Sequence, residues 1–145
     1  MCPETSSNID LCTEGTSLVP LIKNLIYSAE NKHFMWKSAV FSQYPRPSDT
    51  PQENSDQPRL KDIKIIGYTM RTDKYRYTEW LGFDPVSLVT NWTDLHSVEL
   101  YNHDKDPGED YNKASDPNYS CIVKDLSKML YKGWRSALPT VLLYN

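Results

Sequence analysis

A chain of 145 residues with 39% hydrophobic and 24% charged side chains is long enough to bury a core and reads as one globular domain. The net charge of −3, without any basic run, argues against a nucleic-acid partner. No apolar stretch is long enough to span a membrane. Ten prolines and ten tyrosines tilt the chain towards loops and strands.

Residues 1–10 have neither the basic nor the apolar segment of a signal peptide. Cys2 and Cys12 flank a polar loop. They suit a disulfide in an oxidising compartment and two free thiols in a reducing one. Neither has a CxxC partner or a nearby His pair, which argues against zinc. Thr16 or Ser17 can cap a helix over residues 18–27, with Pro20 in its first turn and Leu18, Leu21, Ile22, Leu25 and Ile26 as one apolar stripe. A polar connection, 28–33, leads to a strand expected over 35–44, which runs into Pro45-Arg46-Pro47. Residues 48–59, with Pro51 and Pro58, read as a long loop.

Residues 62–85 read as a hairpin. Ile66, Tyr68 and Met70 share one face of its first strand, and Ile65, Gly67, Thr69 and Arg71 the other. In the second strand Tyr75, Tyr77, Glu79 and Leu81 alternate with Arg76, Thr78 and Trp80, and Thr72-Asp73-Lys74 forms the turn. A helical turn is expected over 85–89, a last short strand over 97–101, and an acidic, turn-rich connection over 102–117. Residues 122–137 show helical spacing in Ile122, Val123, Leu126, Met129, Leu130 and Trp134. Gly133 is a weak point and Pro139 a stop. Cys121 is expected to pack as a small apolar residue at the start of that helix.

Motifs for chemistry are few. Asn91-Trp92-Thr93 and Asn118-Tyr119-Ser120 are N-x-[ST] triplets, which arise readily by chance and would take glycan in a secretory compartment. Asn102, Asp104 and Asp106 begin like a calcium loop, but Pro107 replaces the required Gly and Lys113 the required Glu. His33, His96 and His103 have no metal-ligand spacing, and no nucleophile elbow, phosphate loop or dinucleotide fingerprint occurs. By its residues alone, this is an α+β domain with no visible catalytic or metal-binding constellation.

Several runs carry a resemblance. Glu99-Leu100-Tyr101-Asn102-His103-Asp104-Lys105-Asp106-Pro107-Gly108-Glu109-Asp110-Tyr111-Asn112 resembles the E-L-Y-D-x-x-x-D-P-x-E-x-x-N signature that closes the C-terminal sheet of sulfatases. It departs from the signature at Asn102, where the family usually has Asp. Glu14-Gly15-Thr16-Ser17-Leu18-Val19-Pro20-Leu21 resembles the family's E-G-x-S-L-x-P-L segment. Within the family, members acting on 2-sulfated iduronate are similar at 42–49, 54–56, 60–65, Gly67-Tyr68 and 75–78, in the Cys2/Cys12 spacing, and at the Asn91 triplet. The similarity runs to Asn112 and weakens beyond it, with Gly133-Trp134-Arg135 and Leu138-Pro139 similar to the C-terminal helix of other sulfatases.

The resemblance implies an antiparallel sheet of about four strands packed by a C-terminal helix, as in the C-terminal subdomain of the alkaline-phosphatase-like superfamily. Residues 1–34 would be a linker and short helix, 35–112 the sheet and 120–138 the helix. Sulfatases use a cysteine in C-x-P-x-R, oxidised to formylglycine, and a divalent cation, usually Ca²⁺. Cys2, Cys12 and Cys121 do not fit that motif. Formylglycine, Ca²⁺ and the catalytic residues are therefore expected in a catalytic domain upstream, and none in this chain.

The implied partners are that catalytic domain, from the same precursor, and through it sulfated glycosaminoglycans (heparan or dermatan sulfate). The implied location is lysosomal or secreted, with Cys2 and Cys12 bonded and Asn91 and Asn118 glycosylated. The loop 42–48, with Gln43, Tyr44 and Arg46, is expected at the substrate rim or the domain junction. Arg46 between two prolines suits a bidentate carboxylate contact. The competing reading is a stand-alone, non-catalytic binding module or a truncated remnant.

Overall fold

The computed structural model describes residues 16–27, 36–50, 53 and 57–138. The chain divides into two compact units, residues 37–137 and a second made of residues 1–36 with 138–145. Of the second unit, helix α1 (Val19–Tyr27) is described. Val19 N–H donates to Ser17 Oγ at 3.3 Å, so Ser17 helps start the helix. Its stripe of Leu18, Ile22, Leu25 and Ile26 is exposed.

The larger unit is built on the hairpin of β2 (Ile65–Arg71) and β3 (Tyr75–Asp84). Its turn closes without glycine, because Thr72 does the work from both sides. Thr72 N–H donates to Tyr75 O at 2.9 Å, and Tyr75 N–H donates to Thr72 Oγ1 at 2.9 Å. Strand β1 (Val40–Arg46) pairs antiparallel with β2, and β4 (Val89–Asn102) with β3, giving the order β1-β2-β3-β4. Pro45 lacks an N–H, and edge strand β1 is where a sheet tolerates that.

Strand alternation sorts the side chains. Met70, Tyr77 and Leu100 fall on one face and are at most 1% exposed. Helix α2 (Ser120–Lys132) covers them with Leu126 and Leu130, and Ala39 and Ala137 complete the cluster. Burying each of these large side chains contributes about 1.5–3 kcal/mol. On the same side Tyr77 Oη donates to Glu79 Oε1 at 2.7 Å. Burial first, and then the Glu79 carboxylate, push the Tyr77 hydroxyl well above the usual tyrosine range.

The structure corrects several local expectations. The strand expected over 35–44 starts at Val40 and runs on to Arg46, into the segment 42–48 expected to be a loop. The short strand at 97–101 is the end of the 14-residue β4. Residues 85–88 form a turn rather than a helix: Asp84 accepts from Val86 N–H and Ser87 Oγ, and Leu88 takes φ +59°. Helix α2 stops at Lys132 because Gly133, at φ +78°, turns the chain out while its N–H caps the carbonyls of Met129 and Leu130. A 3-10 turn, Trp134–Ala137, follows. Cys121 is exposed instead of packed, since it falls on the solvent side of α2. Cys2, Cys12, His33, the connection 28–33 and Pro139 lie outside the described residues.

Candidate functional site

The sheet face opposite α2 carries Tyr44 and Arg46 from β1, Ile65, Gly67, Thr69 and Arg71 from β2, Arg76, Thr78 and Trp80 from β3, and Ser97, Glu99 and Tyr101 from β4. Its centre is decided by an absent side chain. Gly67 pairs with both Tyr44 and Trp80, and a Cβ on Gly67 would meet the Trp80 ring at 2.7 Å. The indole lies down over the glycine. Its N–H donates to Glu99 Oε1 at 2.8 Å, and Tyr44 meets it edge-on with centroids 6.4 Å apart.

Arg46 lies over this indole, with its guanidinium carbon 5.1 Å from the ring centroid. Among the described residues the guanidinium has no hydrogen-bond or ion-pair partner. It opens on a cavity of about 240 Å³ lined by Arg46, Asp49, Ile65, Trp80, His96, Ser97 and Glu99. His96 Nε2 stands 3.5 Å from Asp94 Oδ2.

At the other end of the face Arg76 lies over Tyr101, 4.8 Å from its centroid. Its Nε is 2.7 Å from Glu109 Oε2, a charge contact out of line with the N–H, and Nη2 is 3.6 Å from Glu99 Oε2. Glu109 Oε1 also meets His103 Nε2 at 2.7 Å. Burial, followed by the nearby Glu99 charge, raises the Tyr101 hydroxyl.

The run 99–112 is thus a clasp. Glu99 holds Trp80 with one oxygen and faces Arg76 with the other. Asn112 accepts from Leu100 N–H at 2.9 Å and donates to Val98 O at 3.0 Å, while Lys113 N–H donates to Leu100 O. These bonds satisfy the outer edge of β4 at Val98 and Leu100, which would otherwise offer free backbone groups there. Asp106 accepts from the N–H groups of Asp110 and Tyr111, and these backbone bonds hold its carboxyl below the usual range. Asn102 Oδ1 accepts from Asp104 N–H. Two of the three side chains that imitate a calcium loop in sequence, Asn102 and Asp106, are therefore spent on the backbone. Among the described residues no group of three or more His, Cys, Asp or Glu could hold a metal ion.

Of the candidate site residues, Tyr44 and Arg46 come together beside Trp80. Gln43 pairs with Tyr68 and belongs to the α2 side, because neighbours on a strand point apart. Asn91 is exposed where β4 bulges between Leu95 and Asn91. Its Oδ1 accepts from Thr93 N–H and Oγ1. The bulge sends Trp92 onto Tyr68, stacked at 5.3 Å, and edge-on against Tyr131 of α2 at 5.1 Å. Asn118 is exposed in a 3-10 turn, where its Nδ2 donates to Asp116 Oδ1. Sequence reasoning missed the roles of Gly67, Trp80 and Glu99. A glycine inside a strand was the available signal, since it marks a close approach.

An antiparallel four-stranded sheet covered by one C-terminal helix is the architecture found in sulfatases, and the solved structures bear this out. A protein from Bacteroides thetaiotaomicron assigned to the sulfatases matches 88% of this chain with a TM-score of 0.52 at 23% identity. The phosphonate monoester hydrolase of Agrobacterium radiobacter matches 90% with a TM-score of 0.53 at 20% identity. Each match covers 22% of the solved chain. No family model matches.

The sequence relatives are more particular. The chain is 44% identical to human iduronate 2-sulfatase over 129 residues, covering 79% of this chain, and 40% identical to the mouse protein, covering 86%. It is thus related to the sulfatases, and specifically to iduronate 2-sulfatase. It spans about a fifth of the length of those curated relatives, 21% and 23%.

Proposed function

We propose that this chain is the C-terminal part of an iduronate 2-sulfatase-like enzyme that hydrolyses sulfate esters of heparan and dermatan sulfate. The observation that carries the reading is the identity of 44% with iduronate 2-sulfatase over 129 residues. The chain's share is to complete the fold of a catalytic domain and to shape the rim of its substrate pocket. Formylglycine and Ca²⁺ belong to that catalytic domain, as does sulfur chemistry; the residues described here offer no set of ligands for the ion. Lysosomal delivery, glycans on Asn91 and Asn118, and a Cys2–Cys12 bond belong to the same reading.

Arg46 is the contact across the junction. A guanidinium held over an indole and, among the described residues, without an acidic partner suits a bidentate carboxylate from outside. That carboxylate is an acid of the catalytic domain or the uronate of the substrate.

The test places this chain in human iduronate 2-sulfatase in exchange for the matching segment, and measures secretion and hydrolysis of a 2-sulfated iduronate substrate. Secreted, active chimera supports the reading. A secreted chimera without activity, beside a 145-residue chain that is folded and monomeric by itself, overturns it in favour of a stand-alone binding module.

A further inference from the structure

We infer that Trp80 is a positioning residue that aims Arg46 at a carboxylate supplied from outside this chain. The inference deepens the reading above and rests on its Arg46 contact. Four observations combine. Gly67 leaves room for the indole to lie flat on the sheet, and any Cβ there would displace it. Glu99 Oε1 accepts the indole N–H at 2.8 Å and fixes the ring's rotation. Arg46 lies over that ring, its guanidinium carbon 5.1 Å from the centroid. The guanidinium has no polar partner among the described residues and borders the 240 Å³ cavity.

Stacking fixes the plane of a guanidinium and leaves its edge, where the paired N–H donors are, free for a planar oxyanion. A long flexible side chain would otherwise lose its rotamer freedom at the moment of binding; here the ring limits it beforehand. Glu99 lines the same cavity, and its oxygens are directed to Trp80 and Arg76.

The uronate of a substrate and an Asp or Glu of the catalytic domain share the chemistry that this edge recognises. They differ in what fails when the edge is lost. Loss of a uronate contact raises KM in a folded enzyme, and loss of a domain acid lowers secretion.

Two measurements test the inference. In the NMR spectrum of the 145-residue chain, the Arg46 side-chain protons should lie upfield of the other arginines because they sit over the indole. Trp80→Leu should abolish that shift while the amide pattern of β2–β4 persists, and Trp80→Phe, which keeps a ring face, should retain part of it. An Arg46 shift that is absent, or that survives Trp80→Leu, overturns the positioning.

In the chimera, Trp80→Leu should reproduce the Arg46→Ala defect at about a third or more of its size: a KM about three- to tenfold higher with kcat held, or secretion lowered by a similar factor. The double variant should be no worse than Arg46→Ala alone, and Trp80→Phe should restore most of the loss. Multiplying defects in the double variant overturn the inference. An Arg46→Ala chimera equal to wild type overturns the Arg46 contact itself, whatever the NMR result. Should Trp80→Leu unfold the chain, Gly67→Ala gives the second route, displacing the ring while keeping it, with the same expected loss of the Arg46 shift.

Discussion

Two arginines lie on the open face of one sheet, each stacked on an aromatic ring, and their surroundings make them opposites. Arg76 over Tyr101 is enclosed by Glu99 and Glu109, and Glu109 is tied in turn to His103. Arg46 over Trp80 has the ring and, among the described residues, no ion-pair partner. A charge that is half-buried with its counter-charges belongs to the fold. A charge oriented but left without a counter-charge is available to something else. The same cation–π geometry thus serves stability at one end and, on the reading proposed above, recognition at the other.

The comparison breaks most easily at Arg76. Arg76→Ala leaves Glu99 and Glu109, each 25% exposed in the side chain, facing each other without a cation. Breaking a fully buried pair costs about 3–5 kcal/mol; with this much solvent access the loss should be about 2 kcal/mol, read by urea unfolding of the chain. Arg76→Ala combined with Glu109→Gln should lose less than the sum of the singles.

Tyr77→Phe sets the scale for a charge under α2. It leaves the Glu79 carboxylate without its donor and should cost about 1–2 kcal/mol at neutral pH. It also tests a pH dependence. The Tyr77 hydroxyl is raised in the folded chain, so its contribution is fully present below the unfolded tyrosine value and fades as pH climbs above it. Above about pH 10 the wild type should lose stability with rising pH, and Tyr77→Phe should flatten that decline.

Asn112→Ala removes three hydrogen bonds, to Leu100 N–H, Ala114 N–H and Val98 O. The sites are partly solvated, so the expected loss is about 1 kcal/mol, with faster amide exchange at Leu100 as the local sign.

Arg46→Ala should have the smallest effect on unfolding, within about 0.5 kcal/mol, because no ion pair within the described residues is broken. A loss as large as that of Arg76→Ala would erase the distinction between the two ends.

The sequence made much of this legible. Alternation in 65–71 and 75–81 assigned the hairpin faces correctly, including Gly67 and Trp80 to surfaces that later proved to be one. The helical spacing of Leu126 and Leu130 located α2. Tyr44 and Arg46 were singled out and lie together beside Trp80, whereas Gln43 turned out on the opposite face because successive residues of a strand point apart. Helix length was overestimated because Trp134 continues the helical periodicity of apolar residues, while the backbone at Gly133, read only as a weak point, ends the helix.

By itself, then, the sequence determined the period of each element, the class of fold and the kinship with iduronate 2-sulfatase, since these follow from local patterns and from residue identities in order. Only the tertiary structure decided which of several chemically equal side chains are free. Arg46 and Arg76 are the same residue, each near an aromatic side chain in the fold. What separates them is register: it sets Glu99 between Trp80 and Arg76, folds Glu109 back onto Arg76, and lays Trp80 over Gly67, which has no Cβ. Pairings between strands and across a return loop are long-range choices, and no window of residues read in order contains them.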